Sequence, residues 1–120
     1  MKKQIKSRLM EFSLVLMLQI ILMLPFYSAT AYALSITNIK VTQVTASSAT
    51  VQWNTDTASN GKVKYGSTSS LGYTQRHDNL LQTHSLTLTN GLNSETKYYF
   101  AVESTDANSI TAVNNNSNSF

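Results

Sequence analysis

The pair of residues best suited to chemistry is His77-Asp78, an imidazole beside a carboxylate, which is how a general base is commonly oriented. A base needs something to deprotonate. No serine or cysteine elbow and no glycine-rich oxyanion loop stands near it, and the chain has no cysteine at all. His77-Asp78-Asn79 therefore reads as loop. The other histidine, His84, alternates with Leu86 and Leu88, which puts it on the inward side of a strand, at the rim of the core. A single imidazole there makes no metal site. A two-metal hydrolase needs several Asp, His and Asn ligands converging on ions ~3.5 to 4 Å apart, whereas the acids and histidines here are scattered along the chain. The expectation is a non-enzyme with no catalytic, cofactor or metal residues.

Surface recognition is the other chemistry on offer. Tyr99 points away from the side of Tyr98, and Tyr73, Arg76 and His77 fall in one strand-to-loop region. An exposed aromatic ring with polar neighbours is what a protein or glycan surface uses, so these residues are the candidate ligand contacts. Asn115-Asn116-Ser117 fits the pattern of a glycosylation acceptor. Arg-Gly-Asp, a phosphate-cradling glycine loop and metal-ligand spacings are all missing.

The elements that must hold these residues are strands. From Gly91 to Val102 the residues Tyr98, Phe100 and Val102 alternate with Tyr99 and Ala101, and Leu92 stands six places before Tyr98 across a polar turn. That spacing suits a tyrosine corner, whose hydroxyl returns to main chain near Leu92 to Ser94. Earlier, Ala49, Val51 and Trp53 alternate with Thr50 and Gln52, so Trp53 is expected to plug the core. Ile36, Ile39 and Val41 break step between Ile36 and Ile39, which implies a bulge in an edge strand. Asn54 to Asn60 has the composition of a loop, and Gly61 would allow a positive φ where the chain turns into Val63 and Tyr65. After Leu71 to Arg76 and Thr83 to Thr89, a strand over Ile110 to Val113 is closed by Phe120. Seven short strands without helical periodicity predict an all-β antiparallel sandwich. Trp53, Leu92, Tyr98 and Phe100 are its structural residues.

Ser-Ala-Thr-Val-Gln-Trp at 48 to 53, Val-Lys-Tyr-Gly at 63 to 66, His84-Ser85-Leu86 and the corner at 92 to 102 together resemble fibronectin type III domains. The usual corner reads Leu-x-Pro-x-Thr-x-Tyr-x-Phe-x-Val; Leu92, Thr96, Tyr98, Phe100 and Val102 fit, and Ser94 replaces the proline. The branch it is similar to includes repeats of prokaryotic surface proteins and the non-catalytic N-terminal domain of purple acid phosphatases. The resemblance implies a seven-stranded immunoglobulin-like sandwich over most of residues 35 to 120 and no activity. Asn90 is one residue more than the usual spacing before the corner.

Composition divides the chain at about residue 33. All four methionines and the only proline lie before residue 30. Lys2, Lys3, Lys6 and Arg8 against Glu11 account for the whole net charge of +3. Past residue 33, five cations balance five acids, which gives no electrostatic footprint for nucleic acid. A basic start, an apolar run from Phe12 to Leu24 and then Ala31-Tyr32-Ala33 form the pattern of a secretory signal peptide, with cleavage expected after Ala33. A helix from Phe12 to Leu24 would rise about 20 Å, short of a ~30 Å hydrocarbon core. The alternative is an uncleaved anchor extending from Leu9 to Phe26. Residues 1–33 are thus a leader and 34–120 one domain, secreted or held at the extracytoplasmic surface. The function expected is a monomeric, non-catalytic binding or spacer module for an extracellular protein or glycan, touching membrane only if the leader is kept. The alternative is an accessory domain of an exported hydrolase, standing alone or truncated.

Overall fold

A computed structural model describes Arg8, Glu11, Thr30, residues 32–115 and residues 118–120. The apolar run of the leader lies outside the described residues, as do two residues of the Asn115-Asn116-Ser117 tripeptide. Among the described residues no helix is long and apolar enough to cross a membrane. The chain separates into two compact units, of which the second is Tyr32–Phe120.

This unit is all-β and antiparallel, with no helix among its described residues. Five strands form one sheet: β1 (Ile36–Thr42), β2 (Ala49–Gly66), β3 (Tyr73–Leu88), β4 (Tyr99–Thr105) and β5 (Thr111–Asn114). They run in the order β1-β2-β4-β5, with β3 also paired to β2. Two strands are far longer than expected, because Asn54 to Asn60 and His77-Asp78-Asn79 continue as strand instead of forming loops. The physical reason is in the pairing. β2 lies against β3 on both sides of the segment, and the register slips between Asn54 and Ser59 and again between Ser59 and Gly61. Slips of this kind bend a strand without ending it. Hydrogen bonds from Thr105 N–H to Asn60 Oδ1 (2.9 Å) and from Gln82 Nε2 to Asp56 O (3.0 Å) then bind the polar segment to its neighbours.

The bend divides the work of β2. Its first half pairs with β1, as in Ile36 with Thr55 and Val41 with Val51; its last third pairs with β4, as in Val63 with Val102 and Tyr65 with Phe100. In β1 the register shifts between Thr37 and Lys40, where Asn38 takes a φ of 54°, at the break in spacing between Ile36 and Ile39.

The inward side of β2 is set by parity. Ala49, Val51, Trp53, Thr55, Ser59, Gly61, Val63 and Tyr65 are all buried. Val51, Trp53, Val63 and Tyr65 join Leu86, Leu88, Phe100 and Val102 in one apolar cluster, with Ile36, Ile39, Val41, Leu92 and Phe120 packed around it. Fully burying a large apolar side chain is worth ~1.5 to 3 kcal/mol, so a cluster of this size can hold a domain that has no disulfide.

The corner loop is closed by one hydroxyl. Tyr98 Oη donates to the Gly91 carbonyl at 2.9 Å and accepts from Asn93 N–H at 2.9 Å. Gly91 has a φ of 65°, and a Cβ there would lie 2.1 Å from Tyr73 Cζ, so both the backbone and the ring above it require glycine. At the far edge, Phe120 N–H and C=O both pair with the Tyr98 main chain (3.0 and 2.9 Å), and the Phe120 ring stacks on Tyr98 at 5.7 Å.

Candidate functional site

The chemistry-bearing side chains fall into two groups, one on each side of the sheet. The inward group begins with Trp53, whose indole N–H donates to Ser104 Oγ at 3.0 Å. The His84 ring lies parallel to the indole, 4.7 Å between centroids with 7° between planes, and His77 stacks on His84 at 5.2 Å. The rings meet because Trp53 and His84 are register partners and Gly61 and His77 are partners one bend further on. Gly61 is not a turn residue here. It sits within β2 without a positive φ, and a Cβ on it would come within 2.5 Å of His77 Nε2 and 2.7 Å of Trp53 Cζ2. Its value is that it has no side chain.

A chain of polar contacts runs through this column. His77 Nε2 is 3.1 Å from His84 Nδ1; His84 Nε2 is 3.1 Å from Thr55 Oγ1 and 3.4 Å from Ser59 Oγ. Ser59 donates to Thr55 Oγ1 (3.1 Å), and Thr55 donates to the Leu81 carbonyl (3.3 Å). Those donations leave Thr55 an acceptor for His84, so His84 carries its proton on Nε2 and its Nδ1 receives the Nε2 proton of His77. His77 Nδ1, buried without a hydrogen-bond partner, is then a bare acceptor and not a stranded donor, the cheaper of the two arrangements. Burial, followed by the effect of His77 beside it, pushes the His84 imidazole down to about 4.

In residue type, Ser59, His84 and His77 imitate a nucleophile, a base and its orienting partner. Ser59 and His84 have no exposed surface, however, and the serine hydroxyl is directed at Thr55. Substrate has no approach to them in this conformation. Among the described residues no three His, Cys, Asp or Glu side chains gather to hold a metal ion.

The outward group stands on the last third of β2 and its neighbours. Lys62 is the register partner of Arg76 on β3 and of Glu103 on β4; Lys64 is the partner of Thr74 and Ala101; Gly66 is the partner of Tyr99. These positions alternate with buried Val63 and Tyr65, so they share the opposite face. Both lysines bridge to one carboxylate, Lys62 closely and Lys64 at 3.4 Å, and the Lys62 hydrogen bond holds Glu103 below the usual carboxylate range. Arg76 and Asp78 are only 4.0 Å apart and both well exposed, a loose pair worth little. The Lys97 ammonium lies 5.2 Å from the centre of the Tyr99 ring. Around the bend, the outer face of the β1 side differs in character. There a shallow hollow of about 520 Å³ is edged by Asn38, Lys40, Gln52, Asn54, Thr83 and Ser85 among others, mostly amides and hydroxyls.

The four candidate contacts are therefore divided. Arg76 and Tyr99 share the cationic face. Tyr73 and His77 lie on the inward side of β3, Tyr73 stacked on Tyr65 at 5.5 Å and His77 on His84. His77 is half-buried and belongs to a strand, which corrects its reading as a loop residue. Composition alone passes over Thr55 and Ser59, whose segment reads as loop, and over Lys62 and Lys64. The alternation of those lysines with Val63 and Tyr65 already placed them side by side on the outer surface; only their partners across the sheet were missing. Compared with known proteins, the chain matches no family model, no curated protein and no solved structure.

Proposed function

We propose that residues 34–120 form an exported, non-catalytic binding or spacer module of fibronectin type III character, working as a monomer at or beyond the cell surface. The observation that carries this reading is the division of side chains across the sheet. Serine, threonine and both histidines contact one another inside, whereas Arg76, Lys64 and Tyr99 stand in solvent on a strand-built face. Exposed cations beside an aromatic ring are groups that recognition uses. The sandwich reading is supported by the bends. If β2 is divided at Asn54 to Gly61 and β3 at His77 to Thr83, the five strands become seven segments, in the order that the tyrosine corner at Tyr98 implies. Export is supported by the leader's composition.

The test is a binding screen of the exported protein on glycan, cell-wall and surface-protein arrays. Specific capture that Tyr99→Ala or Arg76→Ala weakens, with the melting midpoint unchanged, is the result expected. Turnover of generic phosphate or glycoside esters by the purified protein would overturn the reading.

A further inference from the structure

We propose that the outer face carrying Lys62, Lys64, Arg76, Lys97 and Tyr99 is a binding surface for an acidic polysaccharide, a polymer of carboxylated sugars. This deepens the binding-module reading and rests on it. Residues 34–120 are neutral in sum, yet four of their five cations stand on this one face or at its margin, while Lys40 stands around the bend. Two of the five acids are elsewhere and occupied, Asp56 accepting from Ser35 and Asp106 capping the Asn108 and Ile110 amides, and a third, Glu95, lies exposed in the corner loop. The neutrality of the sequence thus conceals a polarised module.

The geometry favours an extended ligand. Arg76, Lys62 and Glu103 form one row across β3, β2 and β4, and Tyr99 lies two rows further along, about 13 Å away at the ~3.3 Å rise of a strand. Glu103 holds Lys62 and the nearer side of Lys64, but Lys64 is half-exposed and loosely held, and Arg76 keeps most of its fork free. A carboxylate can take that fork in a bidentate manner, and a sugar ring can lie on the exposed face of Tyr99. Nucleic acid suits the face poorly. Tight phosphate binding draws on ~6 to 10 cation contacts, and single strands stack on several aromatic rings, whereas this surface has four cations, the carboxylates of Glu103 and Asp78, and one ring.

The experiment is affinity electrophoresis and amide-shift mapping of the exported protein with polygalacturonate at low ionic strength, with its methyl ester as the neutral control and polyphosphate as the alternative anion. Retardation by polygalacturonate alone is expected, with shifts at Lys62, Lys64, Arg76 and Tyr99. Lys64→Ala and Arg76→Ala should each weaken it about five- to tenfold, Tyr99→Ala similarly, and Lys40→Ala not at all. Equal retardation by polyphosphate, or equal weakening by Lys40→Ala, would reduce the face to unspecific charge and overturn the proposal. Capture of a neutral glycan or a protein without any polygalacturonate binding would overturn it too, while leaving the binding-module reading standing; failure of every ligand removes the proposal and the binding reading together and leaves only a spacer.

Discussion

The imidazole of His84 lies flat against the indole of Trp53, 4.7 Å between centroids and 7° from parallel, with neither ring reaching solvent. A titratable group is thereby built into the apolar cluster, and the fold inherits its proton chemistry. In the folded protein His84 is pushed down to about 4, mainly by burial, against 6.5 for an ordinary histidine. Between those values the unfolded chain binds more protons, so stability rises with pH.

The first prediction follows from that sign. The contribution of neutral His84 is complete above about pH 6.5 and is lost as the pH falls towards 4, on the order of 3 kcal/mol at most. Its partners are Thr55, Ser59, His77 and Trp53, none of them a carboxylate that could hold the extra proton. Urea midpoints measured from pH 4 to 7.5 should climb across this window. His84→Phe, which keeps a ring against the indole, should flatten the climb; an unchanged slope would remove His84 as its source.

A second prediction concerns tautomers. Nitrogen chemical shifts near neutral pH should report both histidines protonated at Nε2, because Thr55 spends its own hydrogen on Leu81. Protonation of His84 at Nδ1 instead would reverse the direction of the contacts through the column.

Tyr98→Phe tests the corner. It deprives the Asn93 N–H and the Gly91 carbonyl of one shared partner, at a cost on the order of 1 to 3 kcal/mol. Chemical denaturation checks this, and a midpoint equal to wild type would show that the hydroxyl is dispensable.

Gly61→Ala tests the close approach within β2. The added methyl meets His77 and Trp53 at 2.5 and 2.7 Å, so a loss of about 1 to 3 kcal/mol is expected by thermal melting. Combining it with His77→Ala should recover some of the loss, since the nearer obstacle is then removed. No recovery would place the clash at the Trp53 ring, which stays 2.7 Å from the added methyl.

Much of this was legible in the residues, and the rest was not, for identifiable reasons. Period-two patterning located the buried rows around Trp53, Tyr65 and Phe100, since inward positions on a strand depend on local alternation. It failed over Asn54 to Asn60, where Asn, Asp, Ser and Thr are turn formers by preference, yet neighbouring strands supply the hydrogen bonds that keep the segment extended. The partnership of His77 with His84, seven residues away, depends on a register slip that no local pattern encodes. Asn90 is similar. Beyond being one residue more than the corner spacing needs, its carbonyl receives the hydroxyl of buried Tyr65 at 2.8 Å, a destination visible only in three dimensions.

The two anchored extremities of the module have a mechanical consequence. Ser35 is fastened by its N–H and hydroxyl to Asp56, beside the bend of β2, while Phe120 is fastened to Tyr98, beside the opposite extremity of that strand at Gly66. Tension applied between Ser35 and Phe120 would therefore reach the β1–β2 ladder at one end and the Phe120–Tyr98 main-chain pair at the other before it reached the apolar cluster between them.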